Sequence, residues 1–105
     1  MVTKMHREYR FIDLFAGCGG LSEGFYRKGY KALLHLEIAP AACKTLKTRM
    51  KHYNYSNDEI ENAVLCADIT SDGIIEEIDS RIHEKVDLII VKRSHQQEEH
   101  NPLIP

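Results

Sequence analysis

The chain has 105 residues, with 14 Lys and Arg against 16 Asp and Glu, giving a formal net charge of −2. That length suits one small domain with a single modest core, and 43% hydrophobic with 29% charged residues excludes wholesale disorder. The near-neutral balance leaves no basic stripe for nucleic-acid binding, and three cysteines without paired spacing exclude a disulfide framework and suit a reducing cytosol.

Phe11-Ile12-Asp13-Leu14-Phe15-Ala16 is a short apolar run stopping at Gly17, as a buried strand entering a tight turn does. Leu21 and Phe25 then stand at helical spacing, with Gly29 as the stop. A second strand over residues 32–36 ends at Glu37, and Pro40 suits the first turn of a second helix. Cys43, Leu46 and Met50 form that helix's apolar face, while Lys44, Lys47, Arg49 and Lys51 are expected in water. Residues 52–62 are polar and read as a loop. Residues 63–66 are a third strand closed by Asp68. Ser71 or Asp72 is the expected cap of a third helix with an Ile75, Ile78, Ile82 stripe. Residues 86–91 are a fourth strand.

Strands alternating with helices predict parallel βαβ units, and so a partial Rossmann-like α/β three-layer sandwich with strand order 3-2-1-4. Residues 92–101 carry no aliphatic or aromatic side chain, so 92–105 is expected to be a disordered tail. The longest fully apolar run, residues 88–91, is far short of the roughly 20 residues of a membrane span. The start is polar, without a signal-peptide core, so the expected location is cytoplasmic.

Three signals carry chemistry. Phe15, Ala16, Gly17, Cys18, Gly19 and Gly20 form a glycine-rich turn between strand and helix, where the backbone approaches a ligand closely and helix N–H groups are free. It fails as a dinucleotide fingerprint, because Ser22 stands where a third glycine belongs. Glu37 falls 24 positions after Asp13, near the offset at which an acid meets ribose hydroxyls. Alone it reads equally well as a surface acid; beside the glycine turn the ligand reading leads. Asp68, followed by Ile69, repeats that geometry at the third strand's end, although alone a turn Asp is the simpler reading. Phe15 suits either an aromatic ligand contact or the core. Cys43 and Cys66 read as small core residues. Cys18 has helix N–H groups nearby but no base fixed beside it, so no catalytic role is assigned, and the six histidines show no metal spacing.

Residues 11–25 closely resemble the first motif of DNA (cytosine-5)-methyltransferases. The segment from Glu37 and Ile38 through Pro40, Ala42, Thr45 and Leu46 is similar to their second, Asp68-Ile69 to their third, and residues 86–90 to the strand before their fourth. The resemblance implies that residues 1–91 are the amino-terminal part of a methyltransferase catalytic domain. It also implies an S-adenosylmethionine site: Phe15 to Gly20 around the methionine end and adenine edge, Glu37 at the ribose hydroxyls, Asp68 with Ile69 at the adenine, and Ile38 among the cofactor-binding residues. Two departures stand out. Ala39 occupies a position where the family commonly has Asp, and the Pro-Cys-Gln motif, whose thiolate attacks C6 of a flipped-out cytosine, is missing after the fourth strand. The chain is therefore expected to be inactive alone: an interrupted or truncated piece, or a subunit needing a complementing chain, with a stand-alone nucleotide-binding module as the third possibility. DNA is the expected partner of the parent enzyme rather than of this chain.

Overall fold

The computed structural model describes residues 8–14 and 20–91. In chain order these form β1 (Arg10–Leu14), α1 (Gly20–Arg27), β2 (Lys31–Glu37), α2 (Pro40–His52), α3 (Asn57–Ala63), β3 (Val64–Cys66), α4 (Ile74–Arg81) and β4 (Leu88–Val91). The strands make one parallel sheet in the order β3-β2-β1-β4, the order expected from the alternation. The turn residues 15–19 and the segment 92–105 lie outside the described residues.

Alternation along the strands sends side chains to two cores. Phe11 of β1 packs with Tyr26 of α1, with Cys43, Leu46 and Met50 of α2, and with Ile60 of α3. Ile12, Leu33, Leu34 and Leu36 pack instead with Leu65 and with Ile74 of α4. Parallel sheets need helices on both faces, and the two cores supply that cover.

Four local expectations are corrected. Residues 52–62 are not all loop, because α3 begins at Asn57. The Ser56 hydroxyl accepts the Glu59 N–H at 3.1 Å, and the Glu59 carboxylate accepts the Ser56 N–H at 2.8 Å, so a capping box satisfies two otherwise orphaned donors. On α1 the buried residues are Ser22 and Tyr26, while Leu21 is 48% exposed. α4 is capped by Gly73, at φ 77°, rather than by Ser71 or Asp72, and it buries Ile74 while Ile75 faces solvent. The left-handed φ explains the glycine. Of the basic residues of α2, Arg49 is half-buried and bonds Glu23 instead of standing in water.

One irregularity has reach. Between β1 and β2 the register slips by one residue, so that Phe11 faces Ala32 but Ile12 faces Leu34. A one-residue slip reverses which face every later side chain takes. Here it sets His35 opposite Asp13.

Candidate functional site

Glu37 ends β2 and Cys66 ends β3, paired across the sheet, so the segments following both strands emerge together at the carboxyl edge. There Leu36, Glu37, Ile38, Ala67, Asp68 and Ile69 line a cavity of about 210 Å³. Open α/β sheets bind ligands at that edge. Four of the residues singled out from sequence, Glu37, Ile38, Asp68 and Ile69, thus share one hollow. Gly20 opens α1; Phe15, Ala16, Gly17, Cys18 and Gly19 lie outside the described residues.

The backbone of Glu37 is fixed from two sides, since its carbonyl accepts the Ala67 N–H at 3.0 Å and the Cys43 thiol at 3.2 Å. Its carboxylate accepts the Ala39 N–H at 3.0 Å. That contact bears on the Ala39 departure: Ala39 is the N-cap of α2 and offers no side-chain cap, where an Asp oxygen contributes about 1 kcal/mol. Ile38, 60% exposed, stands at the cavity as an uncovered apolar side chain. The Asp68 carboxylate accepts the Thr70 N–H at 2.9 Å and the Thr70 hydroxyl at 2.8 Å. These bonds, the backbone one first, hold its pKa below the usual value. Asp68 therefore shapes the turn, and it does so as an anion at the cavity wall.

Two carboxylates beside aliphatic walls suit a ligand with hydroxyl or amine donors and an apolar ring, which is the chemistry of a nucleoside. At about 210 Å³ the cavity is below the roughly 300 Å³ of ordinary small-molecule sites, so it has room for only part of such a molecule. Two larger hollows among the described residues lie away from this edge. One of about 580 Å³ runs along the flank of α2 by Lys44, Thr48 and His52. The other, of about 340 Å³, sits at the starts of the strands by Tyr30 and Lys31. Among the described residues, no group of three or more His, Cys, Asp or Glu is placed to hold a metal ion, and no helix is long and apolar enough to cross a membrane.

Sequence reasoning missed a buried polar chain beneath this edge. The His35 Nδ1 lies 3.2 Å from an Asp13 carboxylate oxygen, and its Nε2 lies 2.5 Å from the Tyr26 hydroxyl. All three residues are less than a tenth exposed. Burial raises the Tyr26 phenol far above its ordinary pKa, so Tyr26 keeps its proton, and the imidazole links that phenol to the Asp13 carboxylate. No motif flags this trio, because it depends on the register slip. Cys66 is also corrected: it is exposed, not core, whereas Cys43 is buried as expected.

A family model described as C-5 cytosine-specific DNA methylase matches residues 9–88. The Type II methyltransferase M.PspPI of Psychrobacter sp. (strain TA137) is 39% identical over 62 residues, covering 59% of this chain and 15% of that protein. M1.HphI of Haemophilus parahaemolyticus is 32% identical over 80 residues, 76% of this chain and 19% of its own. The chain thus spans less than a fifth of the curated relatives it matches. The crystal structure of the glycopeptide N-methyltransferase MtfA complexed with sinefungin superposes with a TM-score of 0.54 at 13% identity, over 88% of this chain and 33% of that one. At that identity the likeness speaks for the fold alone.

Proposed function

Because the chain belongs to the C-5 cytosine-specific DNA methylase family, we propose that it supplies the S-adenosylmethionine-binding corner of an enzyme that methylates C5 of cytosine in DNA. The observation that carries this reading is the shared cavity of Glu37, Ile38, Asp68 and Ile69 at the carboxyl edge of the sheet. Glu37 accepts the ribose hydroxyls, Ile38 and Ile69 flank the base, and Asp68 accepts its exocyclic amine. The turn from Phe15 through Ala16, Gly17, Cys18 and Gly19 to Gly20 holds the methionine end. The cofactor, when bound, brings the methyl group.

Residues 1–91 are on this reading the amino-terminal part of a catalytic domain, with 92–105 outside it. The thiolate that adds to C6 must come from elsewhere, since no Pro-Cys-Gln occurs in the sequence. The chain alone therefore binds cofactor weakly and transfers no methyl group. Titration calorimetry tests this: S-adenosylmethionine binds the purified chain, and Glu37→Ala weakens it about tenfold, the loss of a charge-assisted hydrogen bond. Unchanged affinity in Glu37→Ala removes Glu37 from the site, and methylation of DNA by the chain alone overturns the assignment of the nucleophile.

The alternative reading, a subunit with a complementing chain, draws on the outer edge of β4. Among the described residues β4 bonds β1 on one side only, and its Ile89 and Val91 are 57% and 62% exposed. An apolar edge strand invites pairing with another polypeptide, here one bringing the nucleophile and the DNA-recognising parts.

A further inference from the structure

Two thiols converge on the backbone that carries Glu37. Cys43, in the first turns of α2, is buried, and Cys66, at the end of β3, is exposed. The Cys43 thiol donates to the Glu37 carbonyl at 3.2 Å, and the Cys66 thiol points to the Ile38 carbonyl at 3.8 Å. The two carbonyls belong to consecutive residues, so the thiols approach one short stretch of backbone from α2 and from β3. Burial, then the neighbouring Cys66, pushes the Cys43 thiol up to about 12. Immediately beyond Cys66, Ala67 and Asp68 line the same cavity as Glu37 and Ile38.

We propose that Cys43 and Cys66 are a redox modification site: a peroxide joins them in a reversible disulfide that displaces Glu37 and Ile38 and closes the cavity to its ligand. Its effect on affinity rests on the cofactor reading above; the bond itself does not. The exposed Cys66 thiolate attacks a peroxide oxygen, the O–O bond breaks, and Cys66 becomes a sulfenic acid as hydroxide leaves. The Cys43 sulfur then attacks the Cys66 sulfur and gives its proton to the departing hydroxide, so that the S–O bond breaks, the S–S bond forms and water is released. Two thiols and one peroxide give one disulfide and two waters, with two electrons passing to the peroxide. A dithiol reductant reverses the step.

The thiol-to-carbonyl bonds show why the cavity responds. A disulfide has no S–H, so both thiol donors aimed at the Glu37 and Ile38 carbonyls vanish together, and the new bond pulls α2 toward β3 across those residues. The raised Cys43 pKa makes the second step slow, so the sulfenic acid on Cys66 accumulates first. Cavity, strand register and both thiol contacts bear on one corner.

The test treats the full chain with hydrogen peroxide and maps its peptides by mass without reduction. We expect a linked Cys43–Cys66 peptide lighter by two hydrogens, Cys18 left as a thiol, and reversal by dithiothreitol. Amide signals of Glu37 and Ile38 shift with oxidation, and S-adenosylmethionine affinity falls about tenfold, the worth of one displaced charge-assisted bond. Cys66→Ser, at an exposed position, abolishes all three responses. A Cys43 that stays free, with Cys66 overoxidised or joined to Cys18, overturns the site. Equal affinity in both redox states overturns its control of the cavity. If the reduced chain does not bind S-adenosylmethionine, the cofactor reading fails by itself, and the peptide map still decides the disulfide.

Discussion

On the α4 side of the sheet, Ile12, Leu33, Leu34, Leu36, Leu65 and Ile74 meet one another and further aliphatic neighbours. On the opposite side Phe11 lies edge-on to the rings of both Tyr26 and His35, and the interior there holds the carboxylate of Asp13 as well. The first interior is specified by volume, because dispersion and burial are non-directional. The second is specified by direction, because each polar group needs its partner at hydrogen-bond distance. The two interiors meet at the carboxyl edge: Leu36, Ala67 and Ile69 of the aliphatic side line the cavity together with Glu37, which follows the buried His35 by two positions on β2.

The comparison breaks most sharply at His35. His35→Leu keeps the bulk but leaves the buried Asp13 carboxylate without its imidazole partner, and chemical denaturation should show a loss of about 3 kcal/mol. A loss no greater than that of an aliphatic exchange would mean that the trio is mere filling. On the other face Leu36→Met, at an equally buried position, should cost less than about 1.5 kcal/mol by the same measurement. A larger loss there would show that shape matters on both faces. The smallest effect concerns Glu23 at the margin of the directional side. The Tyr53 hydroxyl, opposed by burial and helped by Arg49 and Arg27, holds its carboxyl below the ordinary value. A depressed folded-state pKa gives stability that is present above the unfolded value of about 4.5 and is lost as pH falls through the folded one. Thermal melts across that window should therefore decline with acid, and Glu23→Gln should flatten the decline.

Much of the architecture was legible because glycine and proline punctuate it. Gly29 and Pro40 delimit elements, and four apolar runs of the right length between helical stretches leave little choice but a parallel sheet. α3 was hidden by its polar exterior, although Ser56 and Glu59 at capping-box spacing, with Ile60 behind them, were the available signal. Leu21 and Ile75 are apolar yet exposed, because the faces turned to the sheet bury Ser22 and Tyr26 on α1 and Ile74 on α4. At the site, Glu37, Ile38, Asp68 and Ile69 are legible in the sequence, since each stands at or just after a strand end and strand ends in such sheets gather at one edge. The Asp13–His35–Tyr26 chain and the meeting of Cys43 with Cys66 depend on register and on docking across the sheet, which no local pattern encodes.

The parallel pairing of β1 with β4 also fixes an order of events in time. Arg10 donates its N–H to Asp87 at 2.9 Å, across 77 positions of sequence, and Asp87 returns its own N–H to Arg10 at 2.8 Å. By contrast, Arg10 meets Lys31 across 31 − 10 = 21 positions. Closing the longer loop costs about 1 kcal/mol more chain entropy, so β1 and β2 can associate while the chain is still emerging from the ribosome, and β4 joins last. Among the described residues β3 and β4 are the edge strands, each held on one side alone, so they open first when the protein breathes; amide exchange should be fastest there and slowest in the middle of β2.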